Sequence, residues 1–558
     1  MNFDISYILD EAGAQERALL DRLGERPISI LDFRDPLDTT DTPAFVLALA
    51  TGQPIFLPAG RGLGAGGVYL IDTPADSGKA GYLVSGTVIF GDGMGKTVIR
   101  PADPDVTVFR QFSSDAGTTQ DDIVLRDLTL YGWNVEDGFS EHVHLAAFSG
   151  TRNLLVERVE FKGFRGDGLY IGSGESGSDE RHNYNFTVRD CVFDGINHEN
   201  RQGISIIDGD GGLIENCLFT QVTKSTMPGA IDMEPNASFS VIRNITVRKC
   251  VFDDVGGNVG AVAVIIVPEA PVARNIQILG NHFLGCASND IGINMLRLLG
   301  ATDEDSAILI DGNYGNGAGV TGSRPLALAS ARGVVITGSN KWVDYDNPVL
   351  FGFNGTSELV RDIVCSAELT QVGTATGQPG LLICKAIGVR IEGMRFDRCG
   401  FPGSAGCAIM FLSDVTSDYI RIENIRVVPN TSQTIAIDNL SGTHTFTPAH
   451  NRAIDNDLGG LASEFQATGP GQLLTASTTF DPNNLADGAG QTSGAITVTG
   501  AAFGDDVAVA PPYDLQGIVC TGYVSAADNV KIRLQNETGG AIDLASGTWK
   551  VVVQKALA

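Results

Sequence analysis

Asn153-Leu-Leu-Val-Glu-Arg-Val-Glu-Phe161, Asn185-Phe-Thr-Val-Arg-Asp-Cys-Val-Phe193, Gly211-Gly-Leu-Ile-Glu-Asn-Cys-Leu-Phe219, Asn244-Ile-Thr-Val-Arg-Lys-Cys-Val-Phe252 and Asn275-Ile-Gln-Ile-Leu-Gly-Asn-His-Phe283 are five versions of one phrase. Each opens on Asn or Gly and closes on Phe eight residues later, with Phe-to-Phe steps of 32, 26, 33 and 31 residues. A repeat of this length governs the architecture of the whole chain. Within a copy, apolar and polar residues alternate, the period of a strand with one buried face. The opening Asn or Gly suits a bend that needs left-handed backbone geometry. After each Phe and a loop of variable length comes a second short apolar strand: Gly168-Leu-Tyr-Ile171, Gly203-Ile-Ser-Ile206, Ala230-Ile-Asp-Met233, Ala261-Val-Ala-Val264 and Gly292-Ile-Asn-Met295. One such unit cannot bury its apolar face alone. Stacked on copies of itself it forms a solenoid with a continuous core. The reading is an all-β chain built on a right-handed, single-stranded parallel β-helix. A β-propeller would need about four antiparallel strands per blade with blade-specific motifs, and neither pattern is present.

Working outward, Asp122-Ile-Val-Leu-Arg-Asp-Leu-Thr-Leu130 is an earlier copy; Gly388-Val-Arg-Ile-Glu-Gly-Met-Arg-Phe396 and Tyr419-Ile-Arg-Ile-Glu-Asn-Ile-Arg-Val427 are later ones. The β-helix is therefore expected over 30–454, with a capping helix near 43–50 that has Asp41 as N-cap and Pro43 in its first turn. Residues 1–29 form a separate N-terminal segment. Over 1–26, Ile5, Ile8, Leu9, Leu19 and Leu23 fall at roughly helical spacing, read either as an attachment or oligomerisation helix or as a flexible arm. The Gly-, Ser-, Thr- and Gln-rich stretch 455–479 reads as a linker. Residues 480–558 carry short strands at close spacing with Asn and Gly turns, a small antiparallel β-sandwich.

The net charge of -28 argues against nucleic acid, whose phosphates attract Lys and Arg clusters. No apolar run reaches the roughly 18–20 residues that span a bilayer, so no membrane insertion is expected. The opening Met-Asn-Phe-Asp4 has neither the basic start nor the apolar core of a signal peptide, and the expectation is synthesis in the cytoplasm. Cys191, Cys217 and Cys250 each stand two residues before a repeat Phe, where a buried thiol behaves as a small hydrophobe. No Cys-x-x-Cys pair suggests zinc; neither a metal nor a cofactor is expected.

Leu31-Asp-Phe33, the segment from Asp41 to Ala50, Ile55-Phe-Leu-Pro-Ala-Gly60 and Gly91-Asp-Gly-Met-Gly-Lys-Thr-Val-Ile-Arg100 resemble the opening of pectate-lyase-like β-helix proteins. In that family a capping helix covers the open end of the core. Phe480-Asp-Pro-Asn-Asn-Leu-Ala-Asp-Gly-Ala-Gly490, Gln535-Asn-Glu-Thr-Gly-Gly540 and Asp543-Leu-Ala-Ser-Gly-Thr-Trp549 resemble the C-terminal module of phage tail and virion proteins. Together they make the chain similar to phage tailspikes. That resemblance implies a homotrimer in the virion tail, made in the host cytoplasm without a signal peptide. Its partners would be a host surface polysaccharide and, through the N-terminus, other tail proteins.

If Ile231 and Met233 face the core, Asp232 and Glu234 face outward on one strand. Counted from the start of each second strand, the outward file reads Tyr170, Ser205, Asp232, Ala263, Asn294, with His144 one coil earlier. The same count puts Asp208 one coil, about 4.8 Å, from the Glu234 region. Gly203-Ile-Ser-Ile-Ile-Asp-Gly209 and Ala230-Ile-Asp-Met-Glu-Pro235 are similar to stretches that recur in β-helix tailspikes. Two or three carboxyls beside an aromatic are what glycoside cleavage needs, one to protonate the leaving oxygen and one to act as base or nucleophile. Asp232, Glu234 and Asp208 are therefore the candidate catalytic acids. Tyr170, His144, Ser205, Arg201, His198 and Asn294 are the candidate sugar-binding residues. A solvated acidic face is the bland alternative for the pair. A polysaccharide lyase, with Arg201 or Lys224 as base, and a non-enzymatic virion fibre or adhesin are the competing functions.

Overall fold

The computed structural model describes residues 6–7, 17–18, 27–72, 83–112, 118–176, 179–266, 273–295, 306–352, 360–403, 406–412, 416–439, 445–446, 450–465 and 473–556. Two parallel ladders of strands climb the chain. The repeated phrase builds one: Val124–Tyr131 pairs with Leu155–Lys162, whose second half pairs with Val192–Asp194 and so on, in a register that sets Phe161 beside Phe193, then Phe219, Phe252 and Phe283. The second strands build the other, from Phe109–Phe112 through Ala146–Ser149, Leu169–Gly172, Ile204–Ile206, Ile231–Met233, Val262–Ile266 and Asn289–Met295. All of these pairings are parallel, the arrangement of a β-solenoid.

The five Phe rings stack with centroids 4.7, 4.8, 4.9 and 4.9 Å apart and planes within 8° of parallel. That separation equals the strand spacing of a parallel sheet, so an identical residue on each rung fills an identical slot. Asn153, Asn185, Gly211, Asn244 and Asn275 have φ of 57°, 55°, 82°, 58° and 53°, the left-handed bend read from the sequence. Asn281, Asn313 and Asn340 form an inner amide ladder, each Nδ2 donating to the next Oδ1 at 3.0 Å. Cys191, Cys217 and Cys250 are buried free thiols, with Cys191 Sγ donating to Arg189 O at 3.2 Å. Burial first, then the neighbouring thiols, pushes Cys217 well above the ordinary thiol range.

The capping helix spans Thr42–Leu49 with Pro43 in its first turn. Asp41 precedes it but does not cap it: its fully buried carboxylate pairs with Arg34 and accepts from the amides of Leu63 (3.0 Å) and Leu70 (2.9 Å). The N-cap expectation is corrected accordingly, because three donors from the first coil outcompete the helix amides. Of residues 1–26, only Ser6–Tyr7 and Arg17–Ala18 are described, and they pair antiparallel. At those four residues the expected helix gives way to strand; the rest of that expectation lies outside the described residues.

The helix ladder continues past 454, since Ala462–Ser463 pairs parallel with Ile435 and Ile437. Leu473–Phe480 already belongs to an antiparallel sheet with Gly547–Gln554 and Asp506–Ala510. The stretch read as a linker thus gives strands to both bodies. A second small sheet sets Gly490–Thr492, Ile496–Thr497 and Val519–Ala526 against Asn529–Gln535. Ile532, Leu534, Trp549, Val551 and Val553 form a core of their own between the two.

Candidate active site

The outward file of the second ladder is read directly from its register. Tyr170 pairs with Ser205, Ser205 with Asp232 and Asp232 with Ala263, as the sequence count expected. Ile231 and Met233 belong to the main core, so Asp232 lies on the outer side of the wall. It is not solvated there. Asp232 is 0 % exposed, and among the described residues no donor reaches either of its carboxyl oxygens. Glu234, next on the same face, is half-buried.

A buried carboxylate without donors is costly, and the electrostatics follow from that. Burial, then the neighbouring Glu234 carboxylate, raises the Asp232 pKa well above the ordinary carboxylate range, against the pull of Arg201. Burial also raises Glu234, while Arg201 and the Asp232 carboxyl favour its ionised form. The two effects point one way. Burial thus favours the protonated form of both carboxyls, most strongly at the fully buried Asp232.

Asp167, one coil below Ser205, supplies the charge that organises the surroundings. Its buried carboxylate accepts from Arg201 Nη1 at 2.9 Å and from the amide of Gln202 at 3.1 Å. His144 Nδ1 lies 3.1 Å both from that carboxylate and from the Asp167 amide, so the tautomer decides which contact is a hydrogen bond. Burial opposes the charge of Asp167, yet His144 and Arg201 together hold its carboxyl below the usual range. Arg201 Nη1 also donates to Ser205 Oγ at 3.0 Å, and Ser205 in turn donates to Gln202 Oε1 at 3.1 Å. The ring of His144 stacks on Tyr170 at 4.6 Å with planes 9° apart. A Cβ on Gly172 would meet Tyr170 Cε1 at 2.2 Å, so glycine there leaves room for this ring.

The structure therefore brings together Asp232, Glu234, Arg201, Ser205, Tyr170 and His144. Four placements differ from expectation. Ala147, not His144, is the register partner of Tyr170; His144 reaches the ring from the preceding turn. Asn294 pairs with Ile265, and Gly292 takes the place beside Ala263, so Asn294 lies two residues further along its strand than the count allowed. Asp208 stands at the corner after the strand ends, where His182 Nδ1 approaches its two oxygens at 2.8 and 3.0 Å. His198 turns to Asp254, with Nε2 2.8 Å from its carbonyl oxygen. Asp167 and Glu141 were not singled out from the sequence, although the latter's charge raises Glu234. Among the described residues no group of three or more His, Cys, Asp or Glu side chains is placed to hold a metal ion. No helix among them is long and apolar enough to cross a membrane.

No family model matches the chain, and no curated protein matches it in sequence. Solved structures do match in fold. The pre-mature gene product 12 of bacteriophage phi29 superposes with TM-score 0.58 at 15 % identity, over 80 % of this chain and 59 % of that one; the present chain thus spans less than two thirds of its length. A mutant tailspike protein of E. coli bacteriophage HK620, in complex with hexasaccharide, gives TM-score 0.54 at 14 % identity over 99 % of this chain and 97 % of that one. Another mutant of that tailspike, in complex with pentasaccharide, gives 0.53 at 14 % identity over the same shares. The chain has the parallel β-helix fold of tailspike-like proteins.

Proposed function

We propose that the chain binds a host surface polysaccharide and cleaves it by glycoside hydrolysis at the Asp232–Glu234 pair. The observation that carries this reading is a fully buried Asp232, without a hydrogen-bond donor among the described residues, beside a half-buried Glu234. Two carboxyls sharing one proton at neutral pH are what acid-catalysed glycoside cleavage uses. Glu234 is the member that meets the glycosidic oxygen; Asp232 is the proton store beneath it. The proton passes to the leaving oxygen as the C–O bond breaks. Water adds its hydroxyl to the anomeric carbon, and its remaining proton returns to the pair. Arg201 steadies the negative charge left on the pair, and the flat His144–Tyr170 stack offers a surface for a sugar ring.

In this reading the chain is a receptor-binding part of a phage tail, a homotrimer joined to other tail proteins through its N-terminus. The likeness in fold to proteins solved with oligosaccharides supports it. Incubation with capsule or lipopolysaccharide tests it. Hydrolysis releases reducing ends with no ultraviolet absorbance from unsaturated sugars. That absorbance would instead mark a lyase, and retention of the polysaccharide without cleavage an adhesin; either result overturns the hydrolase.

A further inference from the structure

Arg324 enters the same ladder from the same corner as Arg201. Arg201 stands four residues before Ser205, and Arg324 three before Ala327. The file Asp232, Ala263, Gly292, Ala327 puts its rung three above the acid pair, roughly 14 Å away. The two arginines differ in their company. Arg201 is held by Asp167 and feels Asp232. Arg34 and Arg165, also largely covered, have Asp41 and the Asp105–Asp137 pair. Among the described residues Arg324 has no carboxylate partner. Its Nε donates to Pro348 O at 3.0 Å, and among the described residues its guanidinium makes no other hydrogen bond or ion pair.

Burial lowers the Arg324 pKa below the usual arginine value, and its charge acts on the Cys384 thiol, which burial has pushed up to about 11. Cys384 packs with Ala327 and Leu350 in a small apolar cluster, flanked by Leu382 and Leu412, separate from the main core. Arg324 is half-buried, and none of its nitrogens is a buried donor without a partner, so the N–H groups beyond Nε face solvent and are open to an incoming anion.

We propose that Arg324 binds the carboxylate of an acidic sugar in the polysaccharide whose backbone is held at the Asp232–Glu234 pair. This rests on the glycan reading above and narrows it to polymers bearing uronic or sialic acids. The fork of the guanidinium matches a carboxylate in two parallel hydrogen bonds, and apolar neighbours strengthen them by excluding water.

The test is affinity electrophoresis of the full chain in gels containing polygalacturonate, hyaluronate or polysialic acid, each against its carboxyl-reduced form, with a glycerol-phosphate polymer as a separate arm. At least one acidic polymer is expected to retard the chain and to stop doing so once reduced. Arg324→Gln should weaken that retardation about tenfold, the loss of one charge-assisted bidentate contact, and Arg324→Lys should keep part of it; thermal melting of both variants shows whether they fold. Retardation by none of the carboxylate polymers, equal retardation by reduced forms, a response to the phosphate polymer alone, or no change in Arg324→Gln overturns the proposal. Cleavage of neutral glycans indifferent to Arg324 would remove this inference and leave the hydrolase standing. Acidic-glycan binding without cleavage would do the reverse.

Discussion

The inner Phe file and the outer Asp232 file are built by the same rung spacing, yet one repeats and the other does not. Inside, every residue has the same neighbours above and below, so Phe161, Phe193, Phe219, Phe252 and Phe283 meet one packing requirement five times. Outside, Tyr170, Ser205, Asp232, Ala263 and Gly292 follow one another with no two alike. Repetition marks a position where burial decides the residue. Its absence on an equally regular frame marks the face free to take on chemistry, and there the structure spends stability by burying an acid without donors.

The largest expected effect breaks the outer file. Glu234→Gln should lower polysaccharide cleavage by about 10²–10⁴-fold, the usual worth of a positioned acid–base group, while melting stays near wild type; reducing-end release measures it. Breaking the inner file should do the opposite. Phe219→Ala removes the middle ring of the stack and should cost about 3–5 kcal/mol, read from chemical denaturation.

A third experiment sharpens the contrast with an acid inside the lumen. Asp290 is buried and accepts from Tyr345 Oη, and Gly315 leaves room for both, since a Cβ there would meet Asp290 Oδ2 and Tyr345 Oη at 2.3 Å. Burial raises Asp290 well above the carboxylate range. The folded state therefore keeps a proton that the unfolded chain has released above about pH 4. Stability attributable to this group is lost as pH rises from there until the folded pKa is passed. Asp290→Asn should flatten that fall, raising the melting temperature more at pH 8 than at pH 5. The smallest effect is at the thiols: Cys217→Ala should cost roughly 1 kcal/mol, and a reductant should leave the melting of the wild type unchanged, since all nine cysteines are free.

The same contrast explains what the sequence made legible. The Phe phrase and its left-handed Asn or Gly bends were readable because identical rungs write identical words. The register of Tyr170, Ser205 and Asp232 followed from it. Asn294 was misplaced because Ile291 and Ile293 both face inward, and a slip of two residues leaves the in–out alternation of a strand unchanged. Burial of Asp232 was not legible, since alternation shows which side a residue takes and not what covers that side. Asp167 and Arg201 are 34 residues apart in the chain and meet across one coil; no local spacing reports such a pair. Arg324, with no carboxylate partner among the described residues, was equally illegible from local spacing. Asp41 was legible as a position but not as a role, because its three donors come from Arg34, Leu63 and Leu70.

The proposed cleavage needs a proton on Asp232 beside Glu234. Infrared difference spectroscopy between the wild type and Asp232→Asn at pH 7 observes it directly. A protonated-carboxyl C=O band present in the wild type should disappear in the variant. A difference spectrum showing the loss of a carboxylate band instead would contradict it.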